Sequence, residues 1–158
     1  MTSAVLDKPK PGVGDIIVTV SHDALDAPDG IEQRINAIAE QEGFEIRSLS
    51  VVLTDHQTVT GLNKTHLSRT YHTDVLAFDL RDNGSASQTT SIDGEIYVDL
   101  DSATERAPEF ESTFESEVIR YVIHGLLHLM GYSDQDDEAR EKMRQRENHY
   151  LGLPSNQP

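Results

Sequence analysis

Apolar positions recur along the chain in short blocks whose spacing changes from two residues to three or four, and each change marks the border of an element. IIVTV, residues 16–20, is β-branched enough for a buried strand. Turn and cap residues from His22 to Gly30 then lead into a helix at about 31–43, where Ile31, Ile35, Ile38 and Ala39 form one stripe and Gly43 ends it. Residues 44–53 alternate and then turn apolar as SLSVVL, which predicts a second strand. Thr54 or Asp55 can cap the helix that follows, carrying Val59, Leu62 and His66. VLAFDL at 75–80 and EIYVDL at 95–100 read as two further strands, and RDNGSASQTTSIDG between them as a mobile hairpin loop. The rest is helical: a short helix from about Asp101, a long one over about 112–131, and a last one from Ser133 or Asp134 to about Tyr150.

These elements predict one α+β domain over residues 15–151, a four-stranded mixed sheet packed with about five helices. Pro9, Pro11, Gly12 and Gly14 make residues 1–14 a flexible arm, and residues 152–158 form a flexible tail. Neither an internal repeat nor a dividing linker is evident, and 158 residues suit one core. With no long apolar run and no basic-then-apolar start, a cytoplasmic protein without membrane contact is expected.

Charge narrows the functions. With 28 acidic and 13 basic residues the formal net charge is −15, which excludes a broad basic surface for nucleic acid, so any RNA contact must be local. Only four cations are Lys while Asp reaches fifteen, a balance suited to concentrated salt. The absence of Cys removes disulfides, thiolate metal sites and Cys nucleophiles, leaving His, Asp, Glu and carbonyl oxygen to hold a metal.

His124 and His128 stand four residues apart in the long helix, so their imidazoles share one side and can both reach one ion at about 2.0–2.1 Å. That spacing alone fits two hydrogen-bonded core histidines equally well. Gly131 changes the balance, because a left-handed residue there turns the chain back and brings Asp134 toward the pair. Two His and one carboxylate with an open position suit Zn²⁺, and also fit Fe²⁺, Mn²⁺ or Ni²⁺. A zinc peptidase of the HExxH type carries Glu after its first His as general base, whereas here that residue is Gly125.

HGLLHLMGYSD resembles the HGxLHLxGYDH signature of the YbeY family of rRNA maturation endoribonucleases. The likeness extends upstream to Leu62, Asn63, Thr73, Asp74, Val75, Leu76 and Phe78, and to GEIYVDLDSA. It implies a metal-dependent, single-strand-specific endoribonuclease in 16S rRNA 3′-end maturation and ribosome quality control. Its implied partners are single-stranded rRNA, the small ribosomal subunit and ribosomal proteins, and its cofactor one divalent ion, with Zn²⁺ first. The competing reading is a ribosome assembly factor that cuts nothing and whose metal is structural.

Two positions depart from the family pattern. Asp134 replaces the usual third His, with Ser133 before it, and the added negative charge makes a bound metal a weaker Lewis acid. Leu67 stands where the family often carries an Arg that assists catalysis. The candidates to replace it are Arg69, two residues on, and Arg120, one turn before His124 on the same stripe, either of which could bind phosphate in the transition state. Asp74 is a candidate partner for a ligating imidazole or a turn residue. His22, His56, His66, His72 and His149 read as surface residues, and Arg140, Lys142, Arg144 and Arg146, interleaved with Glu138, Glu141 and Glu147, as intrahelical salt bridges. Whether activated water or the 2′-OH attacks phosphorus stays open.

Overall fold

The computed structural model describes residues 15–67, 74–81 and 90–155. Four strands, β1 (Asp15–Ser21), β2 (Glu45–Thr54), β3 (Val75–Asp79) and β4 (Ser91–Asp99), form one sheet in the order β1-β2-β4-β3. β1, β2 and β4 run parallel, while β3 lies antiparallel to β4. The helices are α1 (Ile31–Glu42), α2 (His56–Leu67), α3 (Leu100–Arg106), α4 (Phe114–Leu129) and α5 (Asp137–Leu151). The domain is therefore α+β with a four-stranded mixed sheet, as the hydrophobic pattern predicts.

Local chemistry accounts for most borders. Ile31, Ile35, Ile38 and Ala39 of α1 are buried together, and Gly43 closes the helix at φ 81. Asp55 caps α2, its Oδ1 accepting from Thr58 N at 2.7 Å. In β2 the buried Ile46 and Leu49 stand three residues apart, because a bulge between Ile46 and Ser48 resets the pleat by one residue.

Three expectations need correction. β1 is an edge strand and not a buried one, with Ile17 62% exposed; β-branched residues fit any half-buried pleated surface and do not signal full burial. β4 begins at Ser91 and not at 95, since Ile92, Ile96 and Val98 continue one buried alternation that the polar residues between them disguise. Leu100 belongs to α3, where the Asp99 carboxylate caps the helix by accepting from Ser102 N. Of the expected hairpin loop, residues 82–89 lie outside the described residues.

α4 is buried on most of its circumference, as its apolar sequence requires. It lies hard against the sheet: a Cβ on Gly125 would come 2.8 Å from Ile96 Cγ2 and 3.3 Å from Val75 Cγ2. Arg81 ties down its far end, donating to the Leu129 carbonyl at 2.8 Å, to Ser91 O at 3.0 Å and to Asp79 Oδ2 at 2.6 Å. Those bonds hold the Asp79 carboxyl below the usual carboxylate range. Because 13 cations oppose 28 carboxylates across this small surface, screening should stabilise the fold. Thermal melts between low and molar KCl are expected to rise by several degrees, and a flat or falling midpoint would remove the case for salt adaptation.

Candidate metal centre

The centre is assembled by the end of α4 and the turn after it. Gly131, at φ 102, ends the helix in a Schellman motif, with Tyr132 N donating to Leu127 O at 3.0 Å and Gly131 N to His128 O at 3.0 Å. The turn sends the chain back along the helix as expected. The last helix does not start at Ser133 or Asp134, however, because the Asp136 side chain caps it by accepting from Ala139 N at 2.8 Å. Asp134 is thereby left outside helical geometry. Arg140 fixes its backbone by donating to the Asp134 carbonyl at 3.1 Å, and Gln135 N donates to Ser133 Oγ at 3.2 Å.

Three donor atoms converge. His124 Nε2 and His128 Nε2 lie 3.0 Å apart, and Asp134 Oδ2 lies 3.2 Å from His128 Nε2 and 3.6 Å from His124 Nε2. An ion bonded at about 2.0–2.1 Å in tetrahedral directions holds its donors about 3.3 Å apart, so the triangle fits a Zn²⁺-sized ion. Among the described residues these three form the group able to hold a metal. The spacing-based choice of His124, His128 and Asp134 thus corresponds to one constellation.

Each imidazole has its other nitrogen engaged, which fixes the tautomer a ligand needs. His128 Nδ1 donates to the Tyr132 carbonyl at 3.1 Å, a bond supplied by the same turn. Burial, and then the neighbouring His124, lower the His128 pKa and favour its neutral, ligating form. His124 Nδ1 lies 2.6 Å from Oε2 of Glu147, which is 4% exposed. Burial by itself would push the Glu147 carboxyl up; the hydrogen bond and charge of His124, followed by those of Arg120, hold it below the usual range.

The sequence reading took Glu147 for one arm of a surface salt bridge, and the structure corrects this. Its signal was faint but present: Met143 and Glu147 are one turn apart on α5, and both are buried against α4. The expected bridges within α5 form only in part, Arg140 pairing within the helix while Arg146 leaves it. Arg146 reaches across to Glu42 of α1 at 2.5 Å, where Tyr132 and Tyr150 also bond the carboxylate, and Arg140 pairs with Asp137. That cluster anchors α5 against α1 and so sets the position of Glu147.

Arg120 lines the cleft beside His124, but its fork is engaged, Nη1 donating to Glu147 Oε1 at 2.8 Å and Nη2 to Asn148 Oδ1 at 2.9 Å. Arg69 and His72 lie outside the described residues. Asp74 does not serve an imidazole, since both Nδ1 atoms are taken; it lines the cleft and faces Arg106 Nε at 3.4 Å. His22 is not a surface residue. Its side chain is 11% exposed, with Nε2 2.8 Å from Asp101 and Nδ1 accepting from Ala24 N and Leu25 N. His56, its side chain 42% exposed, lies at the surface as expected, with Nδ1 2.6 Å from Asp99 Oδ2.

The cleft, about 270 Å³, opens beside His124 and Asp134 and is walled by Asp74, Tyr121, Arg120 and Arg144. Among the described residues no helix is long and apolar enough to cross a membrane.

Comparison with known proteins places these features in a family. The family model described as Endoribonuclease YbeY matches residues 18–153. A protein named Endoribonuclease YbeY from Salinibacter ruber is 49% identical over 120 residues, covering 74% of this chain and 76% of its own. Another of that name from Alkaliphilus oremlandii is 33% identical over 143 residues, covering 87% and 95%. A solution structure of a Thermotoga maritima protein superposes with a TM-score of 0.60 at 28% identity, covering 87% of each chain. With the family model spanning nearly the whole described domain and the His124, His128 and Asp134 turn lying within it, the chain belongs to the YbeY endoribonuclease family.

Proposed function

We propose that the chain is a metal-dependent endoribonuclease that cuts single-stranded RNA, acting in the cytoplasm on the 3′ end of small-subunit 16S rRNA and among ribosomal proteins. The observation that carries the reading is the triangle of His124 Nε2, His128 Nε2 and Asp134 Oδ2 at the mouth of an open cleft. Three converging donors with an open side suit catalysis better than a closed structural site, which takes four protein ligands. This favours the nuclease over an assembly factor with a structural metal.

His124, His128 and Asp134 would hold the ion, with Zn²⁺ the best match to two imidazoles and a carboxylate, and it would supply Lewis acidity toward the scissile phosphodiester. The chain's own groups do the positioning. Glu147 and the Tyr132 carbonyl hold the protons of His124 and His128 at Nδ1, keeping both Nε2 atoms directed at the cleft. Arg120 neutralises Glu147 and so keeps it a carboxylate inside the protein.

The test is cleavage of labelled single-stranded RNA by the full chain. It should cut single strands and leave duplex intact, lose activity with a chelator and regain it with Zn²⁺ or Mn²⁺. A well-folded, metal-loaded chain that leaves every single-stranded RNA whole would overturn the nuclease reading in favour of the assembly factor.

A further inference from the structure

Arg144 stands apart from the other arginines of α5. Whereas Arg140 and Arg146 are paired, Arg144 makes no hydrogen bond or ion pair among the described residues. It is half-buried, and it lines both the metal cleft and a second cleft that continues past α4 toward the 3₁₀ turn at Pro108–Phe110. The two clefts share Asp74, Arg120, Tyr121 and Arg144 as a common wall. Of the cations on that wall, Arg120 is engaged by Glu147 and Asn148, and Arg106, in the second cleft, faces Asp74. In a chain of net charge −15, an unpaired guanidinium between two clefts offers five donors to whatever anion enters. Phe110 also lines the second cleft and leaves 50% of its surface exposed among the described residues, a large apolar face.

We propose that these two residues form a nucleotide subsite beside the metal centre: Arg144 binds a backbone phosphate of single-stranded RNA, and the Phe110 ring stacks on the base next to it. The proposal rests on the RNA-cleaving reading above and adds to it the path the strand takes. A planar fork suits a phosphate bidentately, and an exposed aromatic face takes any base by stacking. Of the anionic groups lining the second cleft, Asp74 sits on the shared wall facing Arg106, and Glu111 and Glu117 lie beyond it, so a backbone has its favourable charge contact at Arg144 and offers its uncharged base to the remainder. A local contact of this kind is what a strongly acidic protein can use, since a broad basic surface is absent.

The experiment separates charge from stacking. Binding of a short fluorescent single-stranded 2′-O-methyl RNA, checked intact on gels, is followed by anisotropy across a salt series for the full metal-loaded chain. Arg144→Ala should bind about tenfold more weakly at low salt and flatten the slope of log K against log salt by about 0.7, the share of one phosphate contact on a single strand. Arg144→Lys should keep the slope. Phe110→Ala should weaken binding while leaving the slope alone. Melting midpoints and zinc content should stay close to wild type in all three, because among the described residues Arg144 has no hydrogen bond or ion pair to lose and half of the Phe110 surface is already exposed.

If wild type binds and cuts RNA but Arg144→Ala binds with unchanged affinity and slope, the phosphate contact is wrong and the nuclease reading stands. If Phe110→Ala binds normally, the stacking contact is wrong. Binding that depends on both residues without cleavage would support the subsite and count against the nuclease. A wild type that binds no single-stranded RNA would overturn both.

Discussion

Glu147→Ala is expected to be the most damaging single change outside the metal ligands. Glu147 is 4% exposed and joins two partners, Arg120 at 2.8 Å and His124 at 2.6 Å. Its loss leaves a guanidinium only 12% exposed without its counter-charge, and removing one partner of a buried pair costs about 3–5 kcal/mol. For a domain of this size the melting midpoint should fall by about 2–4 °C for each kcal/mol, or about 6–20 °C in total. A second effect is separable from the first. With no acceptor for Nδ1, His124 can rotate or change tautomer, and affinity for Zn²⁺ should drop about 10–100-fold. Glu147→Gln, which keeps an oxygen toward one partner, should fold better yet still bind zinc more weakly. A Glu147→Gln protein with wild-type melting and zinc affinity would mean that the Arg120, Glu147 and His124 chain carries neither stability nor metal orientation.

His124→Ala and His128→Ala should abolish metal retention while sparing the fold, because both rings are partly exposed. Added Zn²⁺ at about a hundred times its Kd should stabilise wild type by about 2.7 kcal/mol. In midpoint that is about 5–10 °C. Neither variant should respond to zinc by more than a small fraction of that rise. Equilibrium dialysis should find about one ion per wild-type chain and far less in either variant. If both variants keep the wild-type zinc stoichiometry and thermal response, the converging triangle of donors is not a metal site.

How much of this was legible in the sequence follows the range of the forces involved. Features set by local geometry could be read directly. The stripe Ile31, Ile35, Ile38 and Ala39, the glycine stops at 43 and 131, and the one-turn separation of His124 and His128 all depend on neighbours within about four residues. So the turn already brings a side chain from SDQDD toward the two imidazoles, and the family resemblance points to Asp134 among them. What long-range packing decides could not. Whether IIVTV is central or at an edge depends on which strands pair, and nothing in its own residues records that Ile17 faces outward. Glu147 looked like one of many surface acids because its partners, Arg120 and His124, are 27 and 23 residues away. The same holds for His22, whose partner Asp101 is 79 residues distant. Arg144 is the reverse case, a residue that charge alternation along α5 pairs on paper and that has no ion pair among the described residues.

Gly125 bears on what this helix could become. A carboxylate directly after His124 would give the helix the sequence order of a zinc peptidase, a single substitution away. The close approach of α4 to Ile96 and Val75 bars that step. A side chain at position 125 starts too close to Ile96 and Val75 of the sheet, so a glutamate placed there would have to put its charge into the helix–sheet contact. Its arrival would require α4 to lift from β3 and β4, and Leu126, Leu127 and Leu129 would then lose the packing that keeps the two histidines aligned. Reaction class is therefore inherited here through clearance between a helix and a sheet. Position 134, in the turn beyond the helix, tolerates exchange far more readily than position 125 does.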